Sequence, residues 1–148
     1  MKISKLREKL ENQNSNFEII HHEKPIKSRS DALDFFSLEE MVPTLIVKAD
    51  MDFYALIISG GREHIDFEMV KKLLACHKIR MANRQEILDK FGMETGHIPL
   101  IGHELPCIID NRIFKNEYVY GGTGDLYHTL KINPNDLAKA NRVALQFD

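Results

Sequence analysis

Two adjacent histidines followed by a glutamate, at positions 21–23, are the residues whose types could suggest a metal site. Imidazole nitrogens and carboxylate oxygens are common ligands of zinc. However, the apolar residues at 17–20 predict a strand that runs into this segment. Because neighbouring residues of a strand point to opposite faces, His21 and His22 could not readily share one ion. We therefore expect structural roles for these histidines and no bound metal.

The two cysteines offer no clearer chemistry. Cys76 and Cys107 lack the spacing of a metal site, and a disulfide framework would need more cysteines. Cys76 precedes His77, but no third group is evident that would fix them as a nucleophile and its base. The glycine pair at 60–61 lacks the lysine and Ser/Thr of a phosphate loop and predicts a turn. We therefore expect reduced thiols, as in a cytoplasmic protein, and no covalent catalysis.

Basic residues are grouped in two parts of the chain, although the formal net charge is −2. A few local charges, rather than the total charge, determine contacts with nucleic-acid phosphates. The first group contains three candidate phosphate-binding residues, Lys24, Lys27 and Arg29. The second group contains Lys71, Lys72, Lys78 and Arg80. A solvated, charge-balanced surface is the alternative interpretation for both groups.

Length and composition indicate one soluble globular domain. The chain has 148 residues, 43% of them hydrophobic and 28% charged, and no linker or repeat interrupts it. No run approaches the roughly 18 consecutive apolar residues of a membrane span. The charged N-terminal segment does not predict a signal peptide. We therefore expect a single domain over residues 1–148, located in the cytoplasm.

Periodicity and capping residues predict the elements that must position any site. Five helices are predicted: Met1–Asn12, one capped by Ser30, Asp66–Ala75, one between Asn83 and Gly92, and one starting at Asn133. Seven strands are predicted: Phe17–Ile20, Thr44–Val47, Phe53–Ser59, Lys78–Met81, Cys107–Asp110, Glu117–Tyr120 and Leu126–Ile132. Helices and strands do not alternate strictly. The expected fold is therefore α/β (α+β), with a mixed, mostly antiparallel sheet of six to seven strands surrounded by helices.

A long loop rich in glycine and proline separates two of these elements. Residues 92–102 read GMETGHIPLIG, and residues 105–110 continue with LPCIID, a buried strand closed by a carboxylate. Further along, residues 118–122 read YVYGG, and residues 133–138 begin a helix. In their order and spacing, these segments resemble the YbaK/ProX-like family of aminoacyl-tRNA editing proteins. The resemblance covers about residues 17–141.

This resemblance implies a pocket that accepts the aminoacyl end of a mischarged tRNA and hydrolyses its ester without a cofactor or metal. A second hydrolytic site is useful because small amino acids differ too little in binding energy for one synthetic site to reject them. Ester hydrolysis needs a positioned water and oxyanion donors, which backbone N–H groups of a glycine loop can supply. Gly96 is the first candidate, since a side chain there would obstruct the substrate; alternatively it only satisfies unusual backbone dihedrals. An aminoacyl-tRNA synthetase is a candidate partner.

Two positions depart from the family pattern. The family usually has a lysine before the Thr/Ser-Leu that begins the strand at 44–47, and this chain has Pro43 there. Proline supplies neither a charge nor a donor, and Lys48 would face the opposite side of the strand. His97 stands at the family's second loop glycine, where an imidazole could bind an acceptor or act as general base. A solvent-facing loop histidine is the alternative.

The resemblance and these departures together define the candidate site. The catalytic candidates are Gly96, His97 and Thr44. The substrate-binding candidates are Pro43, His22, Phe35, Ile98, Pro99, Gly121, Gly122 and His128. The candidates for tRNA binding are Lys24, Lys27 and Arg29. In the first hypothesis, the pocket is rebuilt as a trans-acting deacylase for a small amino acid, on tRNA-Pro for example. In the second, catalysis is lost and the protein binds tRNA or its aminoacyl end. Hydrolysis of a non-tRNA ester is the third hypothesis.

Overall fold

The computed structural model of the chain describes residues 2–148, with the backbone alone at Arg29. Its helices are α1 (Ile3–Asn12), α2 (Arg29–Leu33), α3 (Phe67–Leu74), α4 (Arg84–Phe91) and α5 (Pro134–Lys139), and a 3-10 helix spans Asn111–Lys115. Its strands are β1 (Phe17–His21), β2 (Thr44–Ala49), β3 (Asp52–Ile57), β4 (Ile79–Met81), β5 (Pro106–Asp110), β6 (Val119–Gly122), β7 (His128–Ile132) and β8 (Arg142–Phe147). The predicted helical start at Met1 lies outside the described residues. None of the described helices combines the length and the apolar character needed to cross a membrane.

The strands form two sheets. The larger sheet has the order β4-β2-β3-β5-β8, and the smaller has the order β1-β7-β6. The pairs β3–β5 and β5–β8 are parallel, and the other four pairs are antiparallel. The mixed, mostly antiparallel α/β fold is therefore confirmed. In detail, the described chain has eight strands in two sheets, where the sequence predicted six to seven in one.

The eighth strand, β8, is the element that the sequence analysis does not predict. Its residues alternate between exposed and partly buried positions, and only Phe147 is fully buried. The strand is held by parallel pairing with β5, which lies far earlier in the chain. Its hydrogen-bonding partner is therefore supplied by the tertiary fold, which a local pattern does not reveal.

Local capping signals place most helix starts correctly. Asn83 and Glu86 form a capping box, each side chain accepting the other's backbone N–H at 2.8 Å. Asn133 caps α5 ahead of a proline, as predicted. The prediction for α2 is wrong by two residues, because Ser28 rather than Ser30 is the N-cap. The Ser28 hydroxyl accepts the backbone N–H of Asp31, and Ser30 lies inside the helix.

Both faces of the larger sheet pack against a hydrophobic core. Successive residues of a strand point to opposite faces, so neighbouring residues enter different cores. Ile46 belongs to the core that contains Leu6 and Leu10 of α1. Its neighbour Val47 belongs to a second core with Val70 of α3. The helices thus cover the sheet from two sides, and its functional surface must lie at its ends and edges.

A short segment before β2 joins the two sheets. The backbone N–H of Val42 donates to the carbonyl of Tyr120 at 2.8 Å, and Tyr120 donates back to Glu40 at 2.9 Å. On the other side, Gly60 donates its N–H to the carbonyl of Met41 at 2.7 Å. These bonds bring the start of β2, the loop after β3 and strand β6 together, and a cleft opens between them.

Candidate functional site

The cleft has a volume of about 720 Å³. Its walls come from the α2 segment, the start of β2, the loop after β3, the loop of residues 92–102 (the glycine loop) and the turn between β6 and β7. Eight of the site residues predicted from the sequence line it: Pro43, Thr44, Gly96, His97, Ile98, Gly121, Gly122 and His128. The fold therefore brings segments that are distant in the chain to one concave surface.

The remaining predicted residues lie around this cleft. His22, Phe35 and Pro99 do not contribute to its described walls. Lys24 and Lys27 are exposed nearby, in the segment whose Ile26 and Ser28 do line the cleft. The remaining tRNA-binding candidate, Arg29, has its side chain outside the described part of the structure. The predicted phosphate contacts of this segment therefore stay a prediction.

Thr44, at the first position of β2, presents an unsatisfied hydroxyl. The residue is 8% exposed and lines the cleft. Among the described residues, its Oγ1 atom has no hydrogen-bond partner. A buried hydroxyl without a partner is unfavourable by about 1–3 kcal/mol, so such groups usually have a ligand or a water in their working state. Thr44 is therefore a polar group that is available to a bound substrate.

Pro43 precedes Thr44 at the exposed end of the strand. Its carbonyl accepts the N–H of Ile58 at 3.3 Å, which continues the pairing of β2 with the segment after β3. A proline fits this position because its ring faces solvent and no N–H is required of it. The chain thus keeps the backbone geometry of the strand start while lacking a side-chain donor there.

The paired glycines of β6 allow two loops to approach closely. A Cβ atom on Gly122 would lie 2.7 Å from the carbonyl oxygen of Ile98. A Cβ atom on Gly121 would collide with the side chain of Leu100 and lie 2.9 Å from the carbonyl oxygen of Val42. The N–H of Leu100 also donates to the carbonyl of Gly122 at 3.0 Å. Only glycine permits the glycine loop to pack against β6 in this way.

Gly96 adopts a left-handed conformation, with φ at +97°. A Cβ atom there would lie 3.2 Å from the carbonyl oxygen of Lys27. Side chains rarely adopt this backbone conformation, so the structure supports the conformational interpretation of this glycine. Gly96 also lines the cleft, and its role in admitting the substrate stays a prediction.

His128, one of the histidines that line the cleft, lies beside a carboxylate. Its Nδ1 atom lies 3.2 Å from Asp125 Oδ1, although the two atoms are not aligned as a hydrogen bond. The backbone N–H of Tyr127 donates to the same carboxylate at 2.8 Å and, together with His128, lowers the pKa of Asp125. An ionised carboxylate beside Nδ1 favours a proton on that nitrogen. Nε2 is then the nitrogen that could accept a proton.

His22 lies behind the cleft wall rather than in it. The residue is 5% exposed, and its Nε2 atom lies 2.6 Å from the hydroxyl of Thr129, which does line the cleft. Burial, assisted by His21 and His128, lowers the pKa of His22. The described residues contain no group of three or more side chains suited to hold a metal. His22 therefore reaches the cleft only through Thr129, and its predicted role in substrate binding stays a prediction.

The structure contains an ion pair at the cleft edge that was not predicted from the sequence. Arg62 lines the cleft and binds the buried carboxylate of Asp110 through Nε at 2.8 Å and Nη2 at 2.9 Å. Burial by itself raises the pKa of Asp110, but these bonds and the N–H groups of Arg112 and Ser59 hold it below its usual value. The carboxylate closing β5 was visible in the sequence. Nothing local indicated that Arg62 is its partner.

A cysteine and a histidine also meet in the protein core. The Sγ atom of Cys107 lies 3.6 Å from Nε2 of His103. Burial raises the pKa of Cys107 to about 12 and lowers the pKa of His103 to about 4. Both groups are therefore neutral near pH 7, and neither lines the cleft. This pair lacks the thiolate that a nucleophilic cysteine requires.

Comparison with known proteins gives a consistent result. The sequence profile of the aminoacyl-tRNA editing domain matches residues 23–140. The proline–tRNA ligase of Thermosipho africanus is 30% identical over 70% of this chain and 19% of its own length. The proline–tRNA ligase of Staphylococcus aureus is 28% identical over 73% of this chain and 20% of its own length. This chain thus corresponds to about a fifth of the length of these ligases.

Two solved structures have the same fold along almost the whole chain. A hypothetical protein, APE2540, has a TM-score of 0.83 and 24% identity, and covers 96% of this chain and 97% of its own. A candidate trans-editing enzyme for prolyl-tRNA synthetase has a TM-score of 0.80 and 17% identity, covering 98% and 96%. At these identities the likeness concerns the fold.

Proposed function

This chain belongs to the aminoacyl-tRNA editing domain family, and we propose that it hydrolyses the ester of a mischarged aminoacyl-tRNA in trans. The proposed substrate carries a small amino acid, with tRNA-Pro as the first carrier to test. The observation that carries the proposal is the buried, unpartnered hydroxyl of Thr44 in a cleft that also contains the glycine loop and His128. A prolyl-tRNA synthetase is the proposed partner, because the relatives found by sequence are proline–tRNA ligases.

The proposed reaction uses a water molecule and no covalent enzyme intermediate. Nε2 of His128 accepts a proton from the water, and the resulting hydroxide adds to the ester carbonyl carbon. The negative charge that develops on the carbonyl oxygen is stabilised by hydrogen-bond donors, for which the Thr44 hydroxyl and the N–H groups of the glycine loop are the candidates. The bond to the ribose oxygen then breaks, and the proton held by His128 passes to that oxygen. The products are the free amino acid and the deacylated tRNA.

His128 is a better candidate for the base than His97, which the sequence analysis ranked among the catalytic residues. Both histidines line the cleft. A carboxylate beside the other ring nitrogen stabilises the imidazolium that a histidine base becomes, and Asp125 Oδ1 lies 3.2 Å from Nδ1 of His128. His97 has no such carboxylate among the described residues.

The test is a deacylation assay on a panel of mischarged tRNAs, in which release of the amino acid is followed over time. Thr44→Val removes the hydroxyl and keeps the shape of the side chain. Loss of one oxyanion donor reduces kcat by about 10²–10³-fold in comparable sites. Ser4→Ala, which removes an exposed hydroxyl on α1 away from the cleft, is the matched control and is expected to leave the rate unchanged. Absence of hydrolysis above the blank for every tRNA would exclude the enzymatic proposal.

Pro43 favours a second candidate function, a module that binds tRNA or its aminoacyl end without turnover. The family usually places a lysine at this position, and proline provides no donor. The Pro43→Lys variant separates the alternatives. A large gain in hydrolysis indicates a site that has lost its activity, whereas no gain together with activity of the original chain indicates a rebuilt site. Hydrolysis of small aminoacyl esters with no preference for tRNA would instead support a broader esterase.

A further inference from the structure

A second cleft, of about 740 Å³, lies between helix α3, the edge strand β4 and the turn that follows β2. Phe67, at the start of α3, lines both clefts, so the two are adjacent. The second cleft is rich in charge. Four cations, Lys48, Lys71, Lys78 and Arg80, line it together with two carboxylates, those of Asp50 and Glu68. We call this surface the basic groove.

The acidic side chains of the basic groove bind backbone N–H groups or face solvent and, among the described residues, form no ion pair with its lysines. The Asp50 carboxylate accepts the backbone N–H groups of Lys78 at 2.9 Å and His77 at 3.0 Å, and these bonds lower its pKa. Glu68 is exposed in the first turn of α3. Within the described part of the chain, Lys71 and Lys78 form no ion pair. Both ammonium groups therefore remain available to an external anion.

Two of these four cations, Lys48 and Arg80, already have partners: the Lys48 ammonium lies 5.5 Å from the centre of the Phe53 ring, and Arg80 pairs with Glu86 of α4. Lys48 of β2 and Arg80 of β4 lie directly opposite one another in the sheet. Like charges at such positions are unfavourable. Arg80 binds Glu86, with Nη2 and Oε2 3.1 Å apart, so one carboxylate serves two neighbouring cations. The positive charge that a phosphate would meet in the groove therefore comes mainly from Lys71 and Lys78.

We propose that the basic groove binds the sugar–phosphate backbone of the tRNA acceptor arm while the aminoacylated end occupies the first cleft. This inference rests on the proposed function. An RNA strand that leaves the first cleft past Phe67 enters the groove directly, because this residue lines both clefts. The segment with Lys24 and Lys27, on the other side of the first cleft, is the competing site.

The test measures the binding of deacylated, fluorescently labelled tRNA by anisotropy across a series of salt concentrations. Each phosphate contact contributes about 0.7–0.9 to the slope of log affinity against log salt. The Lys71→Gln/Lys78→Gln variant is therefore expected to bind more weakly, with a slope shallower by about 1.4–1.8. A Lys71→Arg/Lys78→Arg variant retains the charges and is expected to restore the slope. Thermal melting followed by circular dichroism verifies that each variant is folded.

Two further double variants test whether the effect is specific to the basic groove. Lys2→Gln/Lys5→Gln removes the same charge from the first turn of α1 and the residue before it, which line neither cleft, and is expected to leave the slope unchanged. Lys24→Gln/Lys27→Gln tests the competing segment. The inference is overturned if the chain binds no tRNA at low salt, or if the groove variant has the wild-type slope. Because the readout is binding of a tRNA without an amino acid, a negative deacylation panel would refute the proposed activity without deciding this result.

Discussion

The ion pair between Arg62 and Asp110 provides the sharpest stability prediction. Asp110 is fully buried and accepts four hydrogen bonds, from Nε and Nη2 of Arg62 and from the backbone of Ser59 and Arg112. In the Asp110→Asn variant the charge disappears, and the new amide N–H₂ group faces donors instead of accepting from them. The guanidinium of Arg62, 13% exposed, then loses its counterion in a largely buried position.

The loss of folding stability expected for Asp110→Asn follows from this burial. Removal of one partner from a buried ion pair costs about 3–5 kcal/mol. Arg62 is partly solvated, and asparagine keeps one oxygen that can accept a hydrogen bond. We therefore expect a loss of folding stability at the lower end of this range, about 3 kcal/mol. For a chain of this size, that loss lowers Tm by about 6–12 °C. The exposed carboxylate of Asp34, which forms no ion pair among the described residues, provides the control variant Asp34→Asn.

The pH dependence gives an independent check of the same reasoning. The pKa of Asp110 in the folded chain lies below its usual value of 3.8. Its stabilising contribution is therefore fully present above about pH 4 and is lost as the pH falls through the folded pKa. The difference in stability between the original chain and Asp110→Asn should consequently narrow below about pH 4.

Urea unfolding followed by far-UV circular dichroism is a suitable assay, because the chain contains no tryptophan for fluorescence. The original chain, Asp110→Asn and Asp34→Asn are compared at pH 7 and at several lower values. A destabilisation of Asp110→Asn below about 1 kcal/mol at pH 7 would mean that the ion pair contributes little net stability. A difference that stays constant with falling pH would show that the carboxylate charge is not the cause.

Three further predictions concern the cleft and the residues behind its wall. His128→Gln should lower kcat for hydrolysis of the mischarged aminoacyl-tRNA by about 10²–10⁴-fold, and His97→Gln only slightly; equal losses in single-turnover assays would contradict the choice of base. Gly122→Ala should destabilise the chain by about 1–3 kcal/mol in urea unfolding, since its Cβ would meet the Ile98 carbonyl at 2.7 Å, and an unchanged midpoint would show that the loop moves freely. The pKa of His22 is lower in the folded chain than in the unfolded chain, so the unfolded chain takes up this proton at a higher pH. The free energy of unfolding should therefore fall as the pH drops below about 6.5, and His22→Gln should reduce this pH dependence. Identical pH profiles for the variant and the original chain would refute this prediction.

The sequence was informative wherever a structural signal is local. The capping box of Asn83 and Glu86 and the Asn133 cap of α5 depend on contacts within three residues, and both formed as predicted. The α2 prediction failed within the same range, because two serines were available and only Ser28 had the extended backbone of an N-cap. Neighbouring residues of similar type are distinguished by backbone geometry, which their spacing does not specify.

The segments that the family resemblance singled out also meet at one cleft, whose function stays a prediction. The glycine loop, the start of β2 and the β6–β7 turn meet there, as the resemblance implied. Membership in the editing-domain family is confirmed by the match over residues 23–140. The chemistry of the individual side chains was not determined in this way, since order and spacing specify a fold more strongly than they specify a site.

The sequence by itself determined the mixed α/β fold class, the main helix caps and the absence of a lysine at Pro43. Only the tertiary structure decided that the hydroxyl of Thr44 is buried without a partner, that Asp125 lies beside His128 and that Arg62 binds Asp110. Local patterns record the periodicity and capping of nearby residues. Burial, unsatisfied hydrogen bonds and the pairing of charges 48 residues apart exist only after the chain has folded.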